Sequence, residues 1–208
     1  MRKTLIATAS LALVAALAVA SCAAPQGAAA RQGPRATATS AAQPKGPSPA
    51  ASATGGTATT PSGIPAAPSK DPTVVALWEA LMSPVGEYAA SASYAAVLDK
   101  FGAVEPYASI QAAEERHIAA LTRRLTALGV AVPPNPYADT AVAPADLTTA
   151  ATAWADGEVA NVAMYDRLLT QVSGDAQATR VFTNLRRASL EMHLPAFRAA
   201  AANGGVSP

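Results

Sequence analysis

The stretch PYASIQAAEERHIAALTRRLTAL, Pro106 to Leu128, decides the fold. Ile110, Glu114, His117, Leu121, Leu125 and Leu128 recur at three- and four-residue steps, which puts them on one stripe of an α-helix. Gly129 and the run Pro133-Pro134-Asn135-Pro136 stop it. Glu114 and His117 stand on that stripe where leucine would be expected, so the helix that sets the fold also carries the chemistry.

The same period extends in both directions. Towards the N-terminus, a turn or short helix over Thr73 to Met82 meets Ser83-Pro84. Serine can cap and proline suits a first helical position, so a helix is expected from there to Phe101, ended by Gly102. Towards the C-terminus, a connection of about 15 residues precedes a helix opening near Asp146. It presents Leu147, Ala151, Trp154, Glu158, Tyr165, Leu168 and Val172 before Gly174. A last helix is expected from about Asp175 to Ala200, with Pro195 kinking its final turns. Few β-branched alternations and no two-residue hairpin turn interrupt this pattern, so the domain reads as all-α.

Its halves resemble each other. Glu87 is followed by Tyr94 and Phe101 at seven-residue steps, and Glu158 by Tyr165 and Val172 at the same steps. Two turns per seven residues keep each set on one face. Each half then places a histidine on its next helix: His117 lies 30 residues after Glu87, and His193 lies 35 after Glu158. Two similar αα-hairpins joined by a longer crossover make an antiparallel four-helix bundle.

Glu87, Glu114, His117, Glu158 and His193 then face inwards, and an unpaired buried carboxylate costs several kcal/mol. Glu114 and His117, three residues apart, can offer an oxygen and a nitrogen to one ion at about 2.0 to 2.2 Å, which Glu87 and Glu158 could bridge or cap. One Glu from each of two helices and Glu-x-x-His from the others is the two-metal site of ferritin-like proteins. The competing reading of each residue is structural: a hydrogen-bonded core histidine, or a carboxylate satisfied by water. Tyr94 and Tyr165 suit hydrogen-bond donors or electron relays beside a metal, or packing alone. Trp78 and Trp154 read as core anchors, and Glu115, Arg116, Arg123, Arg124, Arg186 and Arg187 as a solvated outer face.

The chain resembles the ferritin-like family catalogued as domain of unknown function 2202. The resemblance rests on Glu87-Tyr88-Ala89-Ala90 through Tyr94, Lys100-Phe101-Gly102, Ala113-Glu114-Glu115-Arg116-His117, Glu158 with Tyr165-Asp166-Arg167-Leu168-Leu169, and His193-Leu194-Pro195-Ala196-Phe197. It covers about Leu77 to Ala200. Membership implies a ferritin-like bundle with a metal site and brings no agreed reaction. The chain departs from a six-ligand pattern at Leu190, three residues before His193, where a symmetric site would offer Glu. Glu191 is about 160° away around the helix and cannot substitute without a π-bulge or local unwinding. Five candidate ligands could hold one ion well, or an asymmetric pair.

Residues 1–21 read as an export signal, with Met1-Arg2-Lys3 before an apolar run. Leu17-Ala18-Val19-Ala20-Ser21-Cys22 resembles a bacterial lipobox, which implies cleavage before a lipid-modified Cys22; an ordinary secretory signal is the alternative. Residues 22–71, with recurrent Pro among Ala, Ser, Thr and Gly, read as a disordered tether, either a plain spacer or a recruitment or glycosylated stalk. The folded domain is then expected over 72–203 and a disordered tail over 204–208.

Composition excludes several classes. The 208 residues include one Cys, too few for a disulfide framework or a thiolate zinc cluster. From residue 72 onwards 13 Asp/Glu face 9 Lys/Arg, so no basic face for nucleic acid is expected. No P-loop, dinucleotide fingerprint, nucleophile elbow or His-Glu-x-x-His helix occurs. The expected protein is anchored to the cell membrane by lipid on Cys22 and faces the extracytoplasmic side. It binds one or two ions of iron, or of manganese or zinc, with ferroxidase or peroxide-consuming chemistry. The alternative is a non-catalytic surface adaptor or metal-storage module on the same bundle. Its expected partners are metal ions, the membrane, and a second copy of the chain or an unidentified surface protein.

Overall fold

The computed structural model describes residues 62–208; the expected signal, Cys22 and the tether up to residue 61 lie outside the described residues. The described residues are all-α, with no strand among them. Helix α1 spans Pro72–Met82, α2 Glu87–Phe101, α3 Tyr107–Ala127, α4 Leu147–Gln171 and α5 Ala176–Ala188; a π-helical turn, Ser189–His193, joins α5 to α6, Leu194–Ala202.

Sequence punctuation sets most of these boundaries. Asp71 caps α1 by accepting from the backbone N–H groups of Thr73 and Val74, and Asp146 and Asp175 cap α4 and α5 in the same way. The Ser83-Pro84 pair, expected to open a helix, instead closes α1: Ser83 is its C-cap, and Gly86 turns back to the Ser83 carbonyl at 2.9 Å. A Cβ on Gly86 would lie 2.5 Å from the Ala80 carbonyl oxygen, so the tight approach of α2 to α1 requires glycine. This turn makes Glu87 the first residue of α2.

Helix α2 packs on α3, and α4 packs on α5, the π turn and α6; α3 meets α5, while α1 lies against α2, α3 and α4. Covered on so many sides, α1 buries Val74, Ala76, Leu77, Trp78, Ala80, Leu81 and Met82. The core has two apolar parts. One joins Leu77, Leu81, Leu121, Leu125, Tyr165, Leu168 and Phe182; the other joins Tyr94, Tyr107, Ile110, Trp154, Leu194 and Phe197. Along α3 the two parts are separated by Glu114 and His117, and along α4 by Glu158 and Asn161.

Both ends of the domain reach past their expected limits. Ile64 and Ala67, in the stretch expected as tether, pack on the core, and Trp78 donates its indole N–H to the Pro65 carbonyl at 2.8 Å. Residues 204–208, expected as a free tail, are fastened: Gly205 accepts from the Tyr107 hydroxyl at 2.8 Å, and Ser207 N–H donates to the Glu105 carbonyl at 2.9 Å. Hydrogen bonds to backbone carbonyls, invisible to composition, hold both.

Candidate metal centre

Five side chains meet in the polar layer between the two apolar parts. Glu87 opens α2, Glu114 and His117 come from α3, Glu158 from α4 and His193 from the last residue of the π turn. Glu87, Glu114, Glu158 and His193 are each 4% exposed or less. The His117 side chain is 12% exposed.

The five form two triads that share Glu114. In the first, His117 Nδ1 lies 3.1 Å from Glu114 Oε2 and 3.2 Å from Glu87 Oε2. In the second, His193 Nδ1 lies 3.2 Å from Glu114 Oε1 and 3.4 Å from Glu158 Oε1. Each oxygen of Glu114 thus serves a different histidine. The imidazole rings are nearly parallel, 5.6 Å apart between centroids.

His193 Nδ1 is buried and hydrogen-bonds to neither carboxylate, although both oxygens are close. A nitrogen that lies close to two carboxylate oxygens and bonds to neither offers a lone pair to a cation shared with them. Neighbouring ligands at about 2.0 to 2.2 Å from one ion, at right or tetrahedral angles, lie about 2.8 to 3.6 Å apart. The separations in both triads fall in that range, and nitrogen with carboxylate oxygen suits Fe(II), Mn(II) or Zn(II).

The outer carboxylates are held by tyrosines from the opposite half. Tyr94 on α2 donates to Glu158 Oε1 on α4 at 2.9 Å, and Tyr165 on α4 donates to Glu87 Oε1 on α2. Burial and the adjacent carboxylates push both phenols well above their ordinary range, so they stay protonated donors. At Glu87 this fixes Oε1 and leaves Oε2 facing His117, whereas at Glu158 the same Oε1 both accepts from Tyr94 and faces His193 Nδ1.

Without a cation the cluster holds protons instead. Burial, reinforced by the charge of Glu114, raises Glu87 to about 8. Burial also pushes Glu114 upwards, but the adjoining Glu87, His117 and His193 outweigh it and bring Glu114 to about 2. Burial would lower the histidines, yet their carboxylates prevail and raise His117 to about 10 and His193 to about 9.

The absent fourth carboxylate is explained by the π turn. Leucine 190 does not occupy the inner face: it is 38% exposed. Leu194 N–H bonds to the Ser189 carbonyl, five residues back, and this wider turn brings the residue four before His193 to the inside instead of the residue three before. Ser189 is accordingly buried and donates to Asn161 Oδ1 at 2.8 Å. Glu191 remains exposed, so the wider turn does not recruit it. Ser189 and Asn161 were missed in the sequence. Asn161, three residues after Glu158 on the same stripe, was legible there; Ser189 was not, because its position depends on the turn.

No known protein family matches the chain, and no curated protein and no solved structure matches it either. The buried carboxylates and histidines could bind a metal; what else is said of function follows from this geometry.

Proposed function

We propose that the chain is a ferritin-like metal protein of the kind its sequence resembles, with a bundle that binds two divalent transition ions, iron first among them. Glu87 and His117 would hold one, Glu158 and His193 the other, and Glu114 would be a ligand available to both. The observation that carries this reading is the shared Glu114, with a histidine nitrogen facing each oxygen and one of those nitrogens lacking any hydrogen bond. The matched offsets of Glu87 and Glu158, and the tyrosine holding each, support the two-fold arrangement.

Iron bound there would supply oxidation of Fe(II) by O₂ or peroxide. The chain's own residues orient the ions, exclude bulk water and retain protons at Tyr94 and Tyr165 Oη. A second reading, a metal-storage module or surface adaptor without turnover, is favoured by Ser189, because the centre has three carboxylates where a symmetric site has four. The lipobox-like segment ending at Cys22 supports placement on the outer side of the cell membrane, anchored by lipid.

The test is elemental mass spectrometry of the full-length chain, purified without a His tag or chelator, beside Glu114→Ala. About two equivalents of metal in the wild type and almost none in the variant is the expected result. A folded wild type that takes up no Fe(II), Mn(II) or Zn(II) overturns the reading. Oxygen consumption on adding Fe(II) then separates oxidase from storage.

A further inference from the structure

A cavity of about 110 Å³ lies beside the centre, between the start of α2 and the middle of α4. One water needs about 10 to 15 Å³ of such space, so this room suits a small molecule. Its walls are short side chains, among them Ala90 and Ala153, with the indole of Trp154. Glu114 and Glu158 line it, so it adjoins the triad completed by His193. Gly157 also lines it and is exposed, and a Cβ there would meet nothing within 4 Å.

Asn161 lines the same cavity and ties it to the place of the absent carboxylate. It accepts from Ser189 and donates one N–H to the Val85 carbonyl at 3.1 Å, which leaves its second N–H for a ligand. Charge points the same way. Glu87, Glu114 and Glu158 bring three negative charges to the four positive charges of two divalent ions. The loaded centre keeps one positive charge unmatched in a buried place, where an uncompensated charge is costly.

We propose that this cavity binds a short-chain monocarboxylate, acetate to butyrate in size, whose carboxylate supplies from the α2–α4 side the charge that the absent fourth carboxylate would have brought. Its alkyl tail lies against Ala90, Ala153 and Trp154, and Asn161 donates to its oxygen. The inference rests on the two-ion reading. Without the ions no unmatched positive charge draws the ligand in, so binding depends on metal.

The experiment loads the full-length chain with Co(II) and titrates butyrate, following the visible Co(II) absorption and the cobalt content after desalting. A saturable spectral change at constant cobalt content is expected, with acetate about 15-fold weaker for the loss of two methylenes at about 0.8 kcal/mol each. Gly157→Leu, and Ala90→Leu from the opposite wall, should keep their cobalt and lose the butyrate response. An unchanged spectrum in a chain that holds its cobalt overturns the inference alone. So does butyrate that strips the cobalt, a response to azide without one to butyrate, or a response retained in both folded variants. Failure to take up Co(II), Fe(II), Mn(II) or Zn(II) overturns the metal reading and this inference with it.

Discussion

Tyr94 on α2 donates its hydroxyl to Glu158 on α4 at 2.9 Å. Tyr165 returns the relationship from α4 to Glu87, so the seven-residue offset that pairs each Glu with a Tyr in sequence becomes a crossed pair in space. The repeat fixes the geometry of the centre by tying each half to the other.

That crossing predicts what Tyr94→Phe does. The ring keeps its place against Trp154 and Phe197, while Glu158 loses its donor. The loss of a hydrogen bond to a buried charged group should cost about 1.5 to 3 kcal/mol in denaturant unfolding of the metal-free chain. Affinity at the His193 triad should fall about 10- to 100-fold, as it does when a ligand loses its supporting hydrogen bond. A variant as stable as wild type, with the same metal affinity, would leave Tyr94 a packing residue.

The shared carboxylate predicts unequal effects on metal content. His193→Ala removes a ligand from one triad and should leave about one ion per chain at the His117 triad. His117→Ala should do the converse. Titration with Zn(II) and a competing chromophoric chelator distinguishes one remaining strong site from none. Loss of both ions in each single variant would mean that the ions bind only as a pair.

Protonation predicts an inverted pH profile for the metal-free chain. Folding raises His117 and His193 from 6.5 to about 10 and about 9, and Glu87 from 4.5 to about 8. Their contribution to stability is complete below those unfolded values and is lost as pH rises through about 8 to 10. Glu114 has the opposite sign: held at about 2, its contribution is present above 4.5 and is lost as pH falls through about 2. Between about pH 6 and 10 the first effect governs, so the metal-free Tm should fall as pH rises. A divalent ion displaces the same protons, and the Tm increment on adding Zn(II) should grow over that interval. A metal-free Tm that is flat or rising from pH 6 to 10 contradicts this account of the cluster.

Packing at the C-terminus predicts a cost at Gly205. Its φ is 93°, and an added Cβ would lie 2.2 Å from the carbonyl carbon of Leu147 at the start of α4. Backbone on both sides cannot yield easily, so Gly205→Ala should destabilise by about 1 to 3 kcal/mol. Thermal unfolding beside Gly157→Ala, where the Cβ meets open space, gives the control. Equal Tm values for the two would show that residues 204–208 do not brace the fold.

Much of this was legible in the sequence because it depends on local period. The stripe of α3 placed Glu114 on the inner face, and the common offsets of Glu87 and Glu158 placed both outer carboxylates. The helices expected to open near Asp146 and about Asp175 do so, each capped by that aspartate. What escaped depends on departures from that period or on contacts far along the chain. Ser83 closes a helix instead of opening one because Gly86 must approach the Ala80 carbonyl. The crossing of the tyrosines is a pairing between residues 64 and 78 positions apart, which no local pattern encodes. The inward turn of Ser189 follows from a π turn in an otherwise α-helical run.

That turn carries the last prediction. A π turn contains one residue more than the α turn it replaces, and the side chain of Leu190 is turned outwards from the inner face. Deleting Leu190 should therefore close the run from α5 to α6 into continuous α-helix without emptying the core. Ser189 and the histidine would then be three residues apart, the spacing at which an α-helix keeps both on one face. Stability should stay within about 1 kcal/mol of wild type, the scale of changes away from buried contacts. Metal content should be kept, because the histidine still faces Glu114 and Glu158. Adding Ser189→Glu to the deletion would supply the fourth carboxylate, neutralise the loaded pair and abolish the butyrate response of the Co(II) spectrum. If the deletion alone unfolds the chain or empties the His193 triad, the π turn itself, and not merely the face it presents, is required to aim the ligand.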